Sequence, residues 1–433
     1  MTVEVQVPET QLPESVTVKA DNESNPAVLL KSSSYREESN FLSDLKHHEK
    51  DALNELKLKL EEAIIGNTLF KKQGTEEEEE EEEGKVDKEI SLWGIPLLPS
   101  KIHESTDVIL LKFLRSKEFK SNDAFEMLKK TLQWRKEFKA DSLLNEELTF
   151  DLPVSAYING TDREGHPICF NSFIGSLENE ELYQKSFGTE ENREKFIRWR
   201  VQLMEKGIKK LHFKADGINS LIEINDMKNL LSPSRKELRI VTKQAVNLLQ
   251  ENYPEFVARN IFINVPFWYY ASNTLLSTFL TQRTKSKFIF ARPGKETEIL
   301  LKYISIEEIP IEYGGFKRDN DFEFSIEDDV SELILKSGSI ETIEIPTPEA
   351  GSTFIWDLTV LGGEVNYKEE FVPSDEGSYS VLVQKEKKVN MNEGSIRNTF
   401  KNNEAGKIVL TIENASSKKK KVLYRYKLKK SVC

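Results

Sequence analysis

From Asn260 to Gln282 the chain runs for 23 residues without a charged side chain, between Arg259 and Arg283. A stretch of that length is what a membrane-spanning helix requires, about 20 apolar residues. Its content argues against spanning. Pro266 sits near the start, and Asn264, Ser272, Asn273, Thr274, Ser277, Thr278 and Thr281 would each need a hydrogen-bond partner inside hydrocarbon.

The run divides at Pro266. Before it, Ile261, Phe262, Ile263 and Val265 are β-branched or aromatic and read as a strand buried on both faces. After it, the spacing predicts a helix from Phe267 to Leu280. Phe267, Trp268, Tyr270, Leu275, Leu276, Phe279 and Leu280 leave this helix almost no polar face, so it must lie against protein, a membrane surface or a bound lipid. Lys287–Phe290 reads as a further strand, Glu296–Ile304 as a helix, and Ile309–Gly315 as the close of the unit.

Upstream, strands and helices alternate. Ala156–Gly160 and Ile168–Phe170 flank the turn Asp162-Arg163-Glu164-Gly165 as a hairpin. A helix over Glu190–His212, a strand over Leu221–Ile224 and a helix opened by Ser232-Pro233 follow. That order implies βαβ units and a largely parallel sheet, an α/β domain over residues 150–318. Ahead of it, residues 91–149 contain two helices, one capped by Thr106 or Asp107 and one running from Ser121 or Asn122 to Phe138. Past an acidic linker at 319–335 the pattern becomes all-β. Ser339–Ile345, Thr353–Val360, Ser378–Val383, Gly406–Ile412 and Val422–Leu428 predict a sandwich over residues 336–430.

Charge divides the chain differently. Residues 1–100 hold 11 Lys+Arg against 23 Asp+Glu, which accounts for the whole net charge of −12, and the remainder is neutral. A neutral folded part disfavours nucleic acid as a partner. The first 90 residues, with Glu76–Glu83 and the Ser32–Ser34 cluster, read as a disordered acidic arm. Within it Leu42, Leu45, Leu53, Leu56, Leu60 and Ile64 have helical spacing, which leaves open a helix with or without a partner. Two cysteines, Cys169 and Cys433, fit a reducing compartment, and Met1–Pro8 lacks the basic flank and apolar core of a secretory signal, so a cytoplasmic protein is expected.

No nucleophile elbow, P-loop, dinucleotide turn or metal-spaced His/Cys cluster occurs, and the five histidines are scattered. The chain therefore reads as a non-enzyme with no metal and no cofactor other than a bound ligand.

Several motifs carry a family likeness. Tyr253-Pro254-Glu255, Asn264-Val265-Pro266-Phe267, the Thr284/Lys287 pair and Pro310-x-x-Tyr313-Gly314-Gly315 resemble, in order and spacing, the signature of CRAL-TRIO lipid-exchange domains. Leu111-x-Phe113-Leu114-Arg115 and Trp134-Arg135 resemble the helical lobe that precedes such domains. Phe354-x-Trp356-x-Leu358 and Val422–Leu428 resemble a GOLD domain. The arrangement of acidic arm, CRAL-TRIO lobe and GOLD sandwich is similar to that of plant patellins.

The resemblance implies an apolar lipid pocket gated by the Phe267–Leu280 helix and a phosphoinositide headgroup site at Lys287, Thr284, Glu255, Asp162 and Lys117. In it, Lys287, Lys117 and Thr284 would meet phosphate, and Glu255 and Asp162 would meet ring hydroxyls or orient the lysines. Lys117 stands where the family often carries Arg, which removes a bidentate fork. Leu221 and Glu223 stand where phosphatidylcholine exchangers carry Ser and Thr, so a different second lipid is expected. The resemblance further implies membrane trafficking, including the cell plate in cytokinesis.

Lys418, Lys419, Lys420, Lys421, Arg425 and Lys427 form the dense basic cluster and are the expected face toward an anionic membrane. At roughly 1 kcal/mol per engaged lysine, such a patch assists a lipid site and cannot replace it. Moving acyl chains from bilayer to pocket is close to neutral, so headgroup contacts must choose the guest. Two other readings stay open: an adaptor that recruits proteins through the GOLD sandwich and the acidic arm, and a carrier of a hydrophobe that is not a phospholipid.

Overall fold

The computed structural model describes residues 35–70, 90–99, 103–148, 154–173, 180–228, 236–265, 282–292, 294–390 and 394–429. The expected gate helix over 267–280 lies outside these residues.

The helical lobe begins earlier than its sequence suggested. Helix α1 (His47–Ile65) buries Ala52, Leu53, Leu56, Leu60, Ala63 and Ile64 in one core with α2 (Glu104–Ser116) and α3 (Ser121–Phe138). The helix left open within the acidic arm therefore forms, and it has a partner. A helix this polar is marginal alone, and its partners supply what its propensity does not. A small hairpin follows, β1 (Ser91–Leu92) with β2 (Ile95–Pro96). Its turn residues Trp93 and Gly94 both have positive φ, as a tight two-residue hairpin needs. Trp93 packs on Phe113, Tyr253 and Phe256, which ties the lobe to the next domain.

That domain is a five-stranded sheet in the order β3-β4-β5-β6-β7. Strands β3 (Val154–Thr161) and β4 (Pro167–Phe173) form the expected antiparallel hairpin. Strands β5 (Leu221–Asp226), β6 (Val257–Ile263) and β7 (Phe288–Phe290) add in parallel. Helices α4 (Glu180–Phe187), α5 (Glu190–Ile208) and α6 (Lys236–Asn252) cross over between strands. Two short helices, α7 (Gln282–Ser286) and α8 (Glu296–Leu300), flank β7.

The two faces of the sheet differ. Ile168, Phe170, Ile222, Ile224, Ile261 and Ile263 are buried in a core closed by Leu300, Ile304, Ile309 and Phe316. On the opposite face Glu223, Asn225, Asn260, Phe262, Phe288 and Phe290 are only half-buried. Strand β6 thus has one fully buried and one half-buried face among the described residues, where two buried faces were expected; Leu203 and Met204 of α5 and Leu249 of α6 cover the part of that second face at Cys169 and Glu223. Gly315 closes the domain without a side chain because a Cβ there would lie 1.9 Å from the Ile309 carbonyl oxygen.

The C-terminal sandwich has two antiparallel sheets, ordered β13-β10-β15-β8 and β12-β11-β14-β9. Its strands are β8 (Ser331–Leu335), β9 (Ile340–Thr347), β10 (Thr353–Leu361), β11 (Val365–Pro373), β12 (Val381–Val389), β13 (Ile396–Lys401), β14 (Gly406–Glu413) and β15 (Lys420–Leu428). The five expected strands are present with shifted ends, and β8, β11 and β13 are additional. The acidic stretch at 319–335 is no free linker. Its last residues form β8 against β15, Phe324 lies 4.2 Å beneath the Arg425 guanidinium, and Asp321 pairs with Arg397 at 2.6 Å. Leu361 and Leu423 of the sandwich enter the buried core of the α/β sheet, so the two domains share apolar packing.

Candidate functional site

The turn from α6 into β6 places Glu255 at φ 58°, a left-handed conformation that costs a non-glycine residue about 1–3 kcal/mol. Its carboxylate accepts two hydrogen bonds from Arg283, Nε at 2.9 Å and Nη2 at 3.0 Å, and one from Lys287 Nζ at 2.6 Å. Burial pushes the Glu255 carboxyl up, but Arg283 and Lys287 outweigh it and hold it at about 2. Arg283 and Lys287 are four residues apart across α7 and the start of β7, so one turn of helix presents both cations to the same carboxylate.

Beneath this cluster Lys112, 2 % exposed, donates to the Asn219 carbonyl at 2.7 Å and the Glu255 carbonyl at 2.8 Å. Burial lowers its ammonium to about 7, against the pull of Glu37 and Glu255. Beside it Arg115 donates to Asn40 Oδ1 and the Ser39 carbonyl, each at 2.6 Å, with Nε 2.9 Å from Glu38. In the β3–β4 turn, Asp162 accepts from the backbone of Glu164 and His166 and from His166 Nδ1 at 3.0 Å. His166 Nε2 lies 2.7 Å from Glu37. Burial lowers the imidazole, yet Asp162 and Glu37 raise it to about 9, so it is an imidazolium at neutral pH.

The expected headgroup residues are thus only partly assembled. Glu255 and Lys287 are in direct contact, and Thr284 is half-buried in α7 with its carbonyl accepting from the Lys287 amide at 3.2 Å. Asp162 faces His166. Lys117 caps the C-terminus of α2, and among the described contacts its side chain joins none of these groups. The cations that α2 directs to the site are Lys112 and Arg115, five and two residues earlier. Arg283, Lys112, Arg115 and His166 were missed. Lys112 alone carried a signal, as a lone lysine inside the apolar run Ile109–Leu114.

The half-buried sheet face continues from this cluster. Asn260 donates to Glu223 at 3.1 Å, Asn225 to Asn260 at 2.5 Å, Asn171 to Asn225 at 3.1 Å, and Arg200 to Asn171 at 2.6 Å. Phe262 stacks on Phe290 at 4.9 Å and meets Phe288 edge-on at 5.5 Å. The face is therefore half polar ladder and half aromatic. Burial raises the Glu223 carboxyl, and burial likewise raises the Cys169 thiol to about 12, leaving it unreactive.

Asp162, Glu164 and His166 are close enough together to share a metal ion. However, both ring nitrogens of His166 face carboxylates as donors, and a ligand imidazole must offer a lone pair. The trio does not fit a metal.

Four of the six residues of the C-terminal basic cluster already have partners in the fold. Arg425 is 4 % exposed and pairs with Asp357 at 2.8 Å. Lys420 is 5 % exposed and donates to the Glu364 carbonyl. Lys421 pairs with Glu332 at 2.7 Å and Lys427 with Asp328 at 2.8 Å. Only Lys418 and Lys419 of the six are exposed without a described ion pair. The acidic stretch at 319–335 supplies two of these partners, Asp328 and Glu332, which strand alternation could not foresee. Among the described residues no helix is long and apolar enough to cross a membrane.

An α/β sheet with one apolar core face and one half-buried polar and aromatic face, a helical lobe before it and a two-sheet sandwich after it define a CRAL-TRIO domain extended by a GOLD domain. Family models agree: the CRAL/TRIO N-terminal domain matches residues 52–130, the CRAL/TRIO domain 153–315, and the patellin-1-like C-terminal GOLD domain 336–420. The chain belongs to the patellin family. It is 49% identical to Patellin-4 of Arabidopsis thaliana, covering 99% of both chains, and 45% identical to Patellin-3 of the same plant over 92% of this chain and 78% of that one. It is 29% identical to the phosphatidylinositol transfer protein SFH5 of Kluyveromyces lactis over 63% of this chain and 84% of that one. The crystal structure of Sfh5 superposes with a TM-score of 0.46 at 22% identity, covering 59% of this chain and 83% of that one.

Proposed function

We propose that this protein is a non-enzymatic carrier that holds an inositol phospholipid and exchanges it at membrane surfaces, acting in the cytoplasm in membrane trafficking and at the cell plate. The observation that carries this reading is the Arg283–Glu255–Lys287 cluster at the edge of the half-buried sheet face. Two cations on one carboxylate carry one positive charge in excess, met by Glu38 on Arg283, so an arriving phosphodiester would compete with Glu38 for that charge, while Glu255 keeps acceptor capacity for ring hydroxyls. The polar ladder at Glu223 and Asn260 supports a guest other than phosphatidylcholine, whose quaternary ammonium donates no hydrogen bond.

The test exposes the purified protein to vesicles of mixed plant lipids, re-isolates it and identifies the retained lipid by mass spectrometry, with Lys287→Ala alongside. A stoichiometric inositol lipid that is lost in the variant supports the reading. No retained lipid in either protein overturns it.

One observation favours an adaptor as the second reading. Strand β12 is an edge strand of the sandwich, and Tyr379, Val381 and Leu382 at its start are exposed. An open edge can take a partner's strand. Pull-downs that depend on β12 and ignore Lys287→Ala would favour it.

A further inference from the structure

The segment from Tyr35 to Asn40 crosses the headgroup cluster as a strap, and its contacts are nearly all to cations. Glu37 takes His166 at 2.7 Å and accepts from Ser220. Glu38 lies 2.5 Å from Arg283 Nη1 and 2.9 Å from Arg115 Nε. The Tyr35 carbonyl accepts from Arg259 at 3.1 Å, and its ring lies 5.3 Å from Lys287 Nζ. These cations are fixed parts of the fold: Arg115, Arg259, His166 and Lys287 are all at most 9 % exposed. The strap is not, since residues 36–39 are exposed and Asn40 is its one buried member.

The charge count identifies what the strap stands in for. Without it, Arg115, Arg259, Arg283, Lys287 and the His166 imidazolium face Glu255, Asp162 and Glu164, an excess of two positive charges to which Lys112 beneath them adds when protonated. Glu37 and Glu38 supply two negative charges. The fit is imperfect, because Arg115 Nε sits beside Glu38 without hydrogen-bond geometry and remains unsatisfied. A phosphomonoester brings about −1.5 to −2 charge and three acceptor oxygens to the same place.

We propose that Glu37 and Glu38 determine headgroup selectivity by occupying, as a displaceable internal anion, the seat that a phosphomonoester on an inositol ring would take. With the strap seated, the site offers only the Lys287 corner and suits a head with a single phosphodiester. With the strap released, Arg115, Arg283 and His166 become available to a second phosphate. This rests on the inositol-lipid reading above and adds to it the control of how many phosphates the head carries. The strap precedes α1, so leaving the site does not require any strand or core helix to move.

The test uses the full chain and its Glu37→Gln/Glu38→Gln variant, which keeps side-chain size and removes charge. Calorimetry measures binding of short-chain phosphatidylinositol, short-chain phosphatidylinositol 4-phosphate and free inositol 1,4-bisphosphate, while hydrogen exchange follows amides 35–40. The variant is expected to bind the two monoester probes about tenfold more tightly and phosphatidylinositol within about threefold of wild type. Monoester binding to wild type is expected to speed exchange in the strap. Gain with the short-chain lipid but none with the free headgroup assigns the seat to a membrane-held guest; gain with both assigns it to the phosphate alone, and either outcome supports the proposal. Equal change for all three probes, no change, or slowed exchange at 35–40 would overturn it, the last by making the strap a clamp. If neither protein binds any probe, the inositol-lipid reading falls first and the selectivity claim with it. If binding is lost in Lys287→Ala but insensitive to the strap variant, only the selectivity claim falls.

Discussion

The ammonium of Lys112 lies 2.8 Å from the carbonyl oxygen of Glu255 and so pins, from below, the backbone of the residue whose carboxylate gathers Arg283 and Lys287 above. The positive φ of Glu255 is held by a buried lysine on another domain's helix. The geometry of the proposed headgroup site thus depends on how the helical lobe seats on the sheet.

Lys112 should give stability an unusual pH dependence. Its folded value of about 7 lies below its ordinary 10.5, so between these values the unfolded chain binds more protons and stability rises with pH. The slope is at most about 1.4 kcal/mol per pH unit. Urea unfolding at pH 7, 8 and 9 should show wild type gaining on Lys112→Met by roughly that slope. Parallel pH profiles for the two proteins would refute the assignment.

Removing Glu255 should cost more than removing Lys287. Glu255→Ala strands two cations, one of them buried, whereas Lys287→Ala leaves Glu255 with its two Arg283 bonds. Breaking a buried pair from one side costs about 3–5 kcal/mol. Thermal melts should place Glu255→Ala below Lys287→Ala, and both should fail to retain the guest lipid.

The strap should hold best in weak acid. Glu37 is pushed up by burial but lowered to about 2 by His166 and Ser220, so its contribution is present above its ordinary 4.5 and fades toward 2. His166, facing Asp162 and Glu164 from its own turn and Glu37 from the strap, contributes fully below 6.5 and loses that contribution as pH rises through about 9. Hydrogen-exchange protection at 35–40 should peak near about pH 5–6 and decline toward pH 9.5. In His166→Phe the decline near pH 9 should be absent, leaving only the loss that follows Lys112 through about 7.

Asp357 should be the most sensitive position of the sandwich. It is fully buried and receives Arg318 at 3.0 Å, Arg397 at 2.7 Å and Arg425 at 2.8 Å. Asp357→Asn leaves three guanidinium groups around a neutral amide and should destabilise the sandwich by at least about 3 kcal/mol. Calorimetric scans would show it as an early transition.

Vesicle binding should separate the two kinds of basic residue in β15 and the turn before it. Lys418→Ala/Lys419→Ala should weaken binding to anionic vesicles with the melting temperature unchanged. Arg425→Ala should lower the melting temperature, because its charge serves Asp357.

How much of this was legible in sequence follows from which forces are local. The alternation of apolar residues gave the parallel sheet and the central sandwich strands, and motif spacing brought Glu255 and Lys287 to one site. Strands β8, β11 and β13 escaped because charged or polar residues interrupt their apolar alternation: Glu332 in β8, Lys368, Glu369 and Glu370 in β11, Arg397 and Asn398 in β13. Glu369 is fully buried with Trp356, Tyr367 and Asn398 all donating to it, which no window of sequence shows. The strap was hidden for the same reason: Glu37 is one acid among many until His166, 129 residues away, reaches it. Arg425 was misjudged since a run of lysines looks solvated whether or not carboxylates from an earlier segment cover it.

Leu361 and Leu423 reach from the sandwich into the apolar side of the parallel sheet, and Arg425 lies 5.0 Å over Phe316 there. That side is bolted to a neighbour as large as a domain, so it has little room to yield. On the carrier reading, a bulkier guest would find its room on the half-buried side of Phe262 and Asn260, and the sandwich would act as the fixed wall behind the sheet.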